Sequence, residues 1–442
     1  MPRATALALL PLVSLPVAAA TFEVSPGDDV RAAIGRLEPG DELVLRGGTY
    51  SFNSRFNIRV VGEPDRPIVI RGKEGEDALI HMTTSSQNIL EVQGSRYLVL
   101  RNLRFTGGSH GIRLMDSDFI TIEHNEIYET GDVAISANSG GTYEGLVIRY
   151  NHIHHTNGTG EGMYLGCNRD ECRVVDSLIE GNYIHHTNRS SVEQGDGIEL
   201  KEGSAGNVIR HNVIHDTNYP GILTYSAMGN GPPNVIEGNL IWNSNDYGIQ
   251  SAADAIIRNN ILLDESIGLQ SHQNGSPSNH VIVHNTIIGN GNGIEVRDVS
   301  GSVVIANNAI YSRSGTAIRL VSGNLGLVTV AGNVGQGGTS GGGSSGFRSG
   351  NGLEADFVDA HFDGAPPIDP FPKAGSALIG AGVSAHAVEH DFNGTRREGT
   401  ADVGAYKYDP AGNPGWTLAP AFKHFEGMGI APPEAPTDLT AE

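Results

Sequence analysis

The sequence repeats one short phrase, an asparagine followed two residues later by isoleucine or leucine. A second phrase follows each asparagine, a small residue and then an apolar one, as in GIEL at Gly197 and GILT at Gly221. The first phrase recurs at intervals of 20 to 31 residues, and its asparagines are Asn125, Asn151, Asn182, Asn212, Asn239, Asn259, Asn285 and Asn308. A period of this length, built from short alternating segments rich in β-branched residues, predicts a β-solenoid rather than a helical repeat.

In such a solenoid each repeat forms one coil, and neighbouring coils stack about 4.8 Å apart. Alternation predicts that Ile198 and Leu200 point inward while Glu199 and Lys201 point outward. An asparagine at each corner can bind the turn backbone and tolerate left-handed geometry. Histidines recur in the same phase, so we interpret them as part of the architecture rather than as a metal site; these are His154, His155, His185 and His186.

Composition excludes several other classes of protein. The 442 residues include 60 glycines without a G-X-Y period, which excludes collagen, and 38% hydrophobic residues, which is too many for a disordered chain. The 29 basic and 50 acidic residues give a net charge of −21, which argues against a nucleic-acid partner. A solenoid also explains how so long a chain can form one unit, because each coil buries its apolar face on its neighbours.

The ends of the chain differ from the repeats. Residues 1–20 have the features of a secretory signal, which predicts a secreted or periplasmic protein, and no later apolar run is long enough for membrane insertion. SPGDD followed by VRAAI predicts an N-terminal capping helix. The solenoid is expected over 21–410 and a Pro-rich tail over 411–442. Cys167 and Cys172 either form a disulfide in this oxidising setting or remain two thiols, and nothing in the sequence marks an oligomeric state.

Three segments carry a family resemblance. PGDELVLRGGTY with PIVIRG near the beginning, and DFNGTRREGTADVGAY near the end, resemble secreted proteins of the pectate-lyase superfamily. The resemblance covers roughly 21–410 and implies an all-β fold, a right-handed parallel β-helix. It does not define an activity, because this fold carries lyases, hydrolases, epimerases and binding proteins.

One coil differs from the others in a way that predicts a functional site. The gap from Asn182 to Gly197 is the longest, 15 residues, and it contains the insertion NRSSVEQ. Insertions beside one strand of a solenoid form the walls of binding sites. The expected outward face around this strand extends over several coils, and its polar residues are Glu161, Tyr164, Asp196, Glu199, Lys201, Tyr225, Gln250, His272 and Arg297.

This set of side chains fits β-elimination on a uronate polymer. The reaction needs a base for the proton next to the carboxylate, an acid for the leaving oxygen and positive charge on the carboxylate. We assign Lys201 as base, provided that a cation and burial lower its pKa, and Tyr225 as acid. Glu161, Glu193 and Asp196 are the expected ligands of a Ca²⁺ ion. Glu199 either joins them or pairs with Lys201, and the expected substrate-binding residues are Tyr164, Glu199, Gln250, His272 and Arg297.

A second resemblance supports these roles. IELKEGSAGNVIRHNVI resembles the strand and turn around the base lysine of β-helix alginate lyases and chondroitinase-B-type lyases. It implies Lys201 as the base and calcium carboxylates near Asp196 and Glu193. The acid of that family is an arginine, whereas this chain has Tyr225 in the corresponding place.

Other functions remain open on this fold. A uronate C5-epimerase would share the proton abstraction, a glycoside hydrolase would use paired acids, and a glycan-binding solenoid would need no base. The DPH phrase of epimerases and the NTD and GHG phrases of polygalacturonases are absent from the sequence. The sequence therefore predicts a secreted lyase that acts on an acidic polysaccharide.

Overall fold

Short strands with one apolar face wind into a parallel β-solenoid. In Ile68–Gly72 and Ala78–Met82 every second side chain is buried, as a strand with one covered face requires. The strands of each coil pair in parallel with those of the next, so the coils stack into three long sheets. The computed structural model describes residues 19–398 and 401–423. The predicted all-β parallel solenoid is confirmed.

Each sheet takes one strand from every complete coil. Sheet A has thirteen strands: Thr21–Val24, Glu42–Leu45, Ile68–Gly72, Arg96–Arg101, Asp118–Glu123, Val147–Arg149, Leu178–Glu180, Val208–Arg210, Asn234–Glu237, Ala255–Arg258, His280–Val283, Val303–Ala306 and Val328–Ala331. Sheet B has thirteen: Gly48–Phe52, Ala78–Met82, Arg104–Gly107, Glu126–Thr130, His152–His154, Tyr183–Thr187, Val213–Thr217, Leu240–Ser244, Ile261–Leu263, Thr286–Gly289, Ala309–Ser312, Asn333–Gln336 and Phe347–Ser349. Sheet C has twelve: Asn57–Ile58, Leu90–Gln93, Ile112–Met115, Ile135–Ala137, Met163–Leu165, Ile198–Leu200, Ile222–Thr224, Ile249–Ser251, Ile267–Leu269, Ile294–Val296, Ile318–Leu320 and Thr339–Ser340.

Few other elements interrupt the coils. Two small sheets pair Gly141–Glu144 with Cys172–Val175 in parallel and Phe357–Asp359 with Asp369–Pro372 antiparallel. The helical segments of the described chain are short: the α-helices Val30–Ile34 and Leu353–Asp356 and the 3-10 turns Asn168–Asp170, Leu325–Leu327, Ser344–Gly346 and Ser384–His386. Within residues 19–398 and 401–423, none of the helices has the length and apolar character needed to cross a membrane.

The five-residue helix Val30–Ile34 lies where the sequence predicts the capping helix. The Asp29 side chain accepts a hydrogen bond from the Ala32 amide at 3.0 Å, and Ala33 and Ile34 are buried. It is little more than one turn, so its role as the cap of the solenoid stays a prediction.

A row of buried asparagines fixes one corner of the coils. Each Nδ2 donates to the Oδ1 of the next asparagine at 2.9–3.1 Å, and the row consists of Asn125, Asn151, Asn182, Asn212, Asn239, Asn260, Asn285, Asn308 and Asn333. The predicted Asn259 is wrong for its coil: Asn260 enters the row, and Asn259 binds the carbonyl of His390 instead. Ile261 is level with Leu240, which places the residue just before it in the corner.

The chain after the last coil packs back onto sheet B. A second apolar cluster joins Leu418 and Phe422 to Trp242. The buried amine of Lys423 donates to the carbonyls of Phe392 at 2.7 Å and of Gly238 at 2.9 Å. The packed region therefore continues beyond the predicted domain end at residue 410. Residues 1–18 of the predicted signal and 424–442 of the predicted tail lie outside the described residues.

Candidate active site

The strand Ile198–Leu200 of sheet C positions the predicted base. Ile198 and Leu200 are fully buried in the solenoid core, so alternation turns Glu199 and Lys201 to the outer side of the sheet. Glu199 is level with Tyr164 of the preceding coil, and the pairing of Leu200 with Thr224 brings Tyr225 level with Lys201.

Lys201 is enclosed although it points away from the core. Its amine lies 2.5 Å from Glu199 Oε1 and donates to the Tyr225 hydroxyl at 3.2 Å. The same amine lies 4.6 Å from the ring centre of Tyr164 and 4.7 Å from that of Tyr225. The two rings and the carboxylate leave its side chain 5% exposed.

These neighbours hold Lys201 in its charged form. Burial by itself lowers the pKa of Lys201, but the charge of Glu199 at 2.5 Å outweighs it, so the pKa lies above its ordinary value. From the sequence we expect the pKa of Lys201 to be lowered towards neutrality once a cation is near, whereas the charge of Glu199 acts in the opposite direction. Burial and Glu199 also raise the pKa of Tyr225, which keeps its hydroxyl protonated.

Three carboxylates next to Lys201 have oxygens without a hydrogen-bond partner in the described chain. Oxygens of Glu161, Asp196 and Glu199 lie within 4.8 Å of one another, and all three side chains are buried. Neither oxygen of Glu161 or Asp196, nor Oε2 of Glu199, has a hydrogen-bond partner among the described residues. Burial raises the pKa of Glu161 to about 7, and burial with the charges of Glu199 and Glu161 raises that of Asp196 well above its usual value.

Such a group fits a hard divalent cation. Buried carboxylate oxygens without donors are costly to the fold unless positive charge compensates them. Ca²⁺ binds oxygen ligands of this kind. The donor set of Glu161, Asp196 and Glu199 therefore fits the ion that the sequence predicts.

The structure does not bring Glu193 into this group. Glu193 is exposed within the insertion, where Val192 forms a bridge with Gly158 and the Glu193 amide donates to the Gly158 carbonyl at 2.8 Å. This pairing fixes the backbone of the insertion beside the earlier coil. Glu199 takes the place in the carboxylate group that the sequence assigns to Glu193.

The other predicted binding residues are spread along sheet C. The His272 ring stacks on Tyr225 with ring centres 4.5 Å apart, because the loop around Gly275 folds back onto Ser226. Gln250 is buried two coils beyond Glu199. Arg297 is on the outer face near the end of the sheet, 39% exposed and 2.6 Å from Glu295.

Sequence reasoning missed Glu202. This residue follows Lys201 at the end of the strand and is fully buried, and neither of its carboxylate oxygens has a hydrogen-bond partner within residues 19–398 and 401–423. Burial raises its pKa.

Cys167 and Cys172 form a disulfide, which closes the loop of the preceding coil. A side chain at Gly166, next to that loop, would come within 3.1 Å of Lys201 Cβ. The sequence left open whether the cysteines pair; their short spacing and the expected oxidising setting pointed to a disulfide.

Comparison with known proteins first defines the class. The family model described as "Right handed beta helix region" matches residues 68–193 and 175–310, more than half of the chain. The chain belongs to this family of right-handed β-helix proteins, within the pectate-lyase superfamily. The handedness implied by the first resemblance is thereby confirmed.

Particular relatives narrow the comparison. The chain is 22% identical over 347 residues to pectate lyase PEL9 of Emericella nidulans, covering 70% of this chain and 75% of the relative. It is 25% identical over 317 residues to pectate lyase L of Paenibacillus polymyxa, covering 66% of this chain and 65% of the relative. A solved structure, XylC in complex with xylose, has a TM-score of 0.58 at 11% identity, covering 87% of this chain and 98% of that one, and supports the fold alone.

Proposed function

We propose that this chain is a polysaccharide lyase that cleaves a uronate-containing glycan by β-elimination on the outer face of sheet C. The observation that carries the proposal is the buried amine of Lys201 in contact with the group Glu161, Asp196 and Glu199. The two curated relatives are pectate lyases, which supports the same class of reaction.

Lys201 takes the role of base in this proposal. Its Nζ would accept the proton next to the uronate carboxylate, which requires the amine to be uncharged when substrate is bound. Glu199 at 2.5 Å opposes that state as long as its charge is uncompensated. Ca²⁺ held by Glu161, Asp196 and Glu199 would supply positive charge to the substrate carboxylate and to Glu199.

Tyr225 takes the role of the acid that protonates the leaving oxygen in this proposal. Its hydroxyl lies 3.2 Å from the Lys201 amine and donates to Glu199 Oε1 at 3.3 Å. The proposed acid, Tyr225, and the proposed base, Lys201, are therefore neighbours. The ring of His272 stacks on Tyr225 and covers one face of the tyrosine ring. Tyr164, Gln250, His272 and Arg297 are proposed to bind sugar units along the sheet.

A lyase of this kind meets its polymer outside the cytoplasm, which agrees with the signal predicted at residues 1–20. The net charge of −21 repels a polyanion, so local positive charge is needed for binding. Arg297 and the proposed cation provide it, since Lys201 must be uncharged when substrate is bound.

The test is the absorbance of the unsaturated product near 235 nm on polygalacturonate, alginate and chondroitin. We expect absorbance on at least one polymer and its loss in Lys201→Ala, with an unchanged circular dichroism spectrum. Lys73→Ala is the matched control, since Lys73 lies on the first coils and forms ion pairs with the surface carboxylates of Glu23 and Glu76. Turnover retained in Lys201→Ala would assign the base elsewhere, and no absorbance on any polymer would refute the lyase proposal.

One observation favours a second candidate, a glycoside hydrolase. The pKa of about 7 for Glu161 suits a general acid, and its oxygens lie within 4.8 Å of those of two further carboxylates. A hydrolase would release reducing ends without absorbance at 235 nm, so the same assay separates the two reactions.

A further inference from the structure

A row of histidines follows the corner at the end of sheet B, away from the candidate active site. His186 and Asp216 occupy equivalent places in two successive coils, both with φ of 54°. This left-handed turn brings each side chain beside that of the preceding residue instead of on the opposite face. His185 Nδ1 thus lies 2.6 Å from His186 Nδ1, and His215 Nδ1 lies 2.6 Å from Asp216 Oδ2.

We propose that His186, His215 and Asp216 bind a divalent first-row transition metal such as Zn²⁺, which departs from the architectural interpretation of His186 made from the sequence. Their ligand atoms all lie within 4.8 Å of one another. Asp216 Oδ2 lies 2.6 Å from His215 Nδ1 and 3.9 Å from His186 Nδ1. Tetrahedral Zn²⁺ with bonds of about 2.0–2.1 Å separates its ligand atoms by about 3.3 Å, so each of the two distances from Asp216 needs to change by less than about 1 Å. Two imidazoles and one carboxylate leave a fourth position for water.

A neighbouring hydroxyl fixes the orientation of one ligand. The Tyr183 hydroxyl lies 3.0 Å from His215 Nε2, where it can accept a hydrogen bond from the N–H of that nitrogen. A metal bound at His215 Nδ1 would replace the proton that this nitrogen donates to Asp216, while Nε2 keeps its own proton. Metal-bound histidines characteristically donate their second ring N–H to an oxygen in this way.

The local charges favour a cation at this place. Within the described part of the chain, Asp216 forms ion pairs with His186 and His215 only. Burial lowers the pKa of His186, which favours the neutral ring that a metal requires. Burial alone would raise the pKa of Asp216, but the hydrogen bond from His215 outweighs it and the pKa is lowered. His186 is 44% exposed, so an ion can reach the group from solvent.

A second group on the same sheet provides a contrast. Glu126, His152 and His154 also lie within 4.8 Å of one another, but Glu126 is ion-paired with Arg104. The guanidinium already supplies positive charge to that carboxylate and opposes a second cation. Glu126→Gln is therefore a matched control for a site at Asp216.

The test is titration of the full chain with Zn²⁺ and, as a spectroscopic probe, Co²⁺, in buffer that contains excess Ca²⁺ to occupy the carboxylates near Lys201. We expect one tight ion per chain and the visible absorption of tetrahedral Co²⁺. The double variant His186→Asn, Asp216→Asn should lose that binding, and asparagine suits the left-handed turn at both positions. Tyr183→Phe should weaken it by about 10–100-fold.

Controls separate this site from other histidines. Glu126→Gln and the exposed His390→Asn should bind Zn²⁺ as the native chain does. Unchanged binding in the double variant would overturn the proposal. Loss of binding in Glu126→Gln would also overturn it, because the ion would then lie at the other group. Circular dichroism of each variant shows that lost binding is not lost folding.

Discussion

Glu161 makes the stability of the protein depend on pH in a direction that can be predicted without knowing the substrate. Burial raises its pKa from 4.5 to about 7. The folded protein thus binds a proton at this carboxyl more tightly than the unfolded chain does. The stabilisation from that proton is complete below pH 4.5 and is lost as the pH rises through about 7.

The magnitude follows from the two pKa values. Their difference of about 2.5, at about 1.4 kcal/mol for each pKa unit, amounts to about 3 kcal/mol of unfolding free energy lost at pH 8. Glu161→Gln keeps the shape of the side chain and removes its charge. In protein stripped of metal, the variant should therefore gain about 3 kcal/mol relative to the native chain between pH 4 and pH 8.

The assay is urea unfolding followed by circular dichroism at both pH values in the presence of a chelator. Glu193→Gln is the control, because Glu193 is exposed and its replacement should change stability by less than about 0.5 kcal/mol at either pH. If Glu161→Gln shifts stability equally at pH 4 and pH 8, the carboxyl is not held in its protonated form by burial, and the account of the site is wrong.

Two further predictions concern the corner row and the proposed cation. Asn212→Ala removes two hydrogen bonds accepted from Asn182 and two donated by Nδ2. At about 1 kcal/mol for each bond, the substitution should lower the free energy of unfolding in urea by about 4 kcal/mol, whereas replacing the exposed Asn245 by alanine should lower it by less than about 0.5 kcal/mol. Equal losses in the two variants would contradict a stabilising role of the asparagine row. A chelator should abolish the absorbance at 235 nm and Ca²⁺ should restore it, while Asp196→Asn should no longer respond to Ca²⁺; full activity in excess chelator would remove the ion from the mechanism.

The period and the alternation of the sequence were enough to predict the architecture and the direction of the site residues. They placed Lys201 and Tyr225 on one level of adjacent coils, which the pairing of Leu200 with Thr224 reproduces. They could not choose between Asn259 and Asn260, because Ile261 follows the first by two residues and Leu262 follows the second by two. Only the pairing of Ile261 with Leu240 decides.

The environment of the site was harder to predict, because it comes from distant parts of the chain. The enclosure of Lys201 depends on the rings of Tyr164 and Tyr225, which lie on the coils before and after it. The position of His272 depends on a loop that folds back across two coils. Glu199 rather than Glu193 belongs to the carboxylate group, and this depends on the backbone bridge at Val192. No local pattern in the sequence encodes these contacts.

The asparagine row keeps the spacing at one corner constant while the number of residues in each coil varies. Successive members are 21 to 31 residues apart, yet every amide contact in the row is 2.9–3.1 Å long. All differences in coil length are therefore absorbed at the other corners, where the insertion beside Ile198–Leu200 lies. Changes in the length of those outer loops can therefore alter the walls of the candidate site while the backbone at the asparagine corner stays the same.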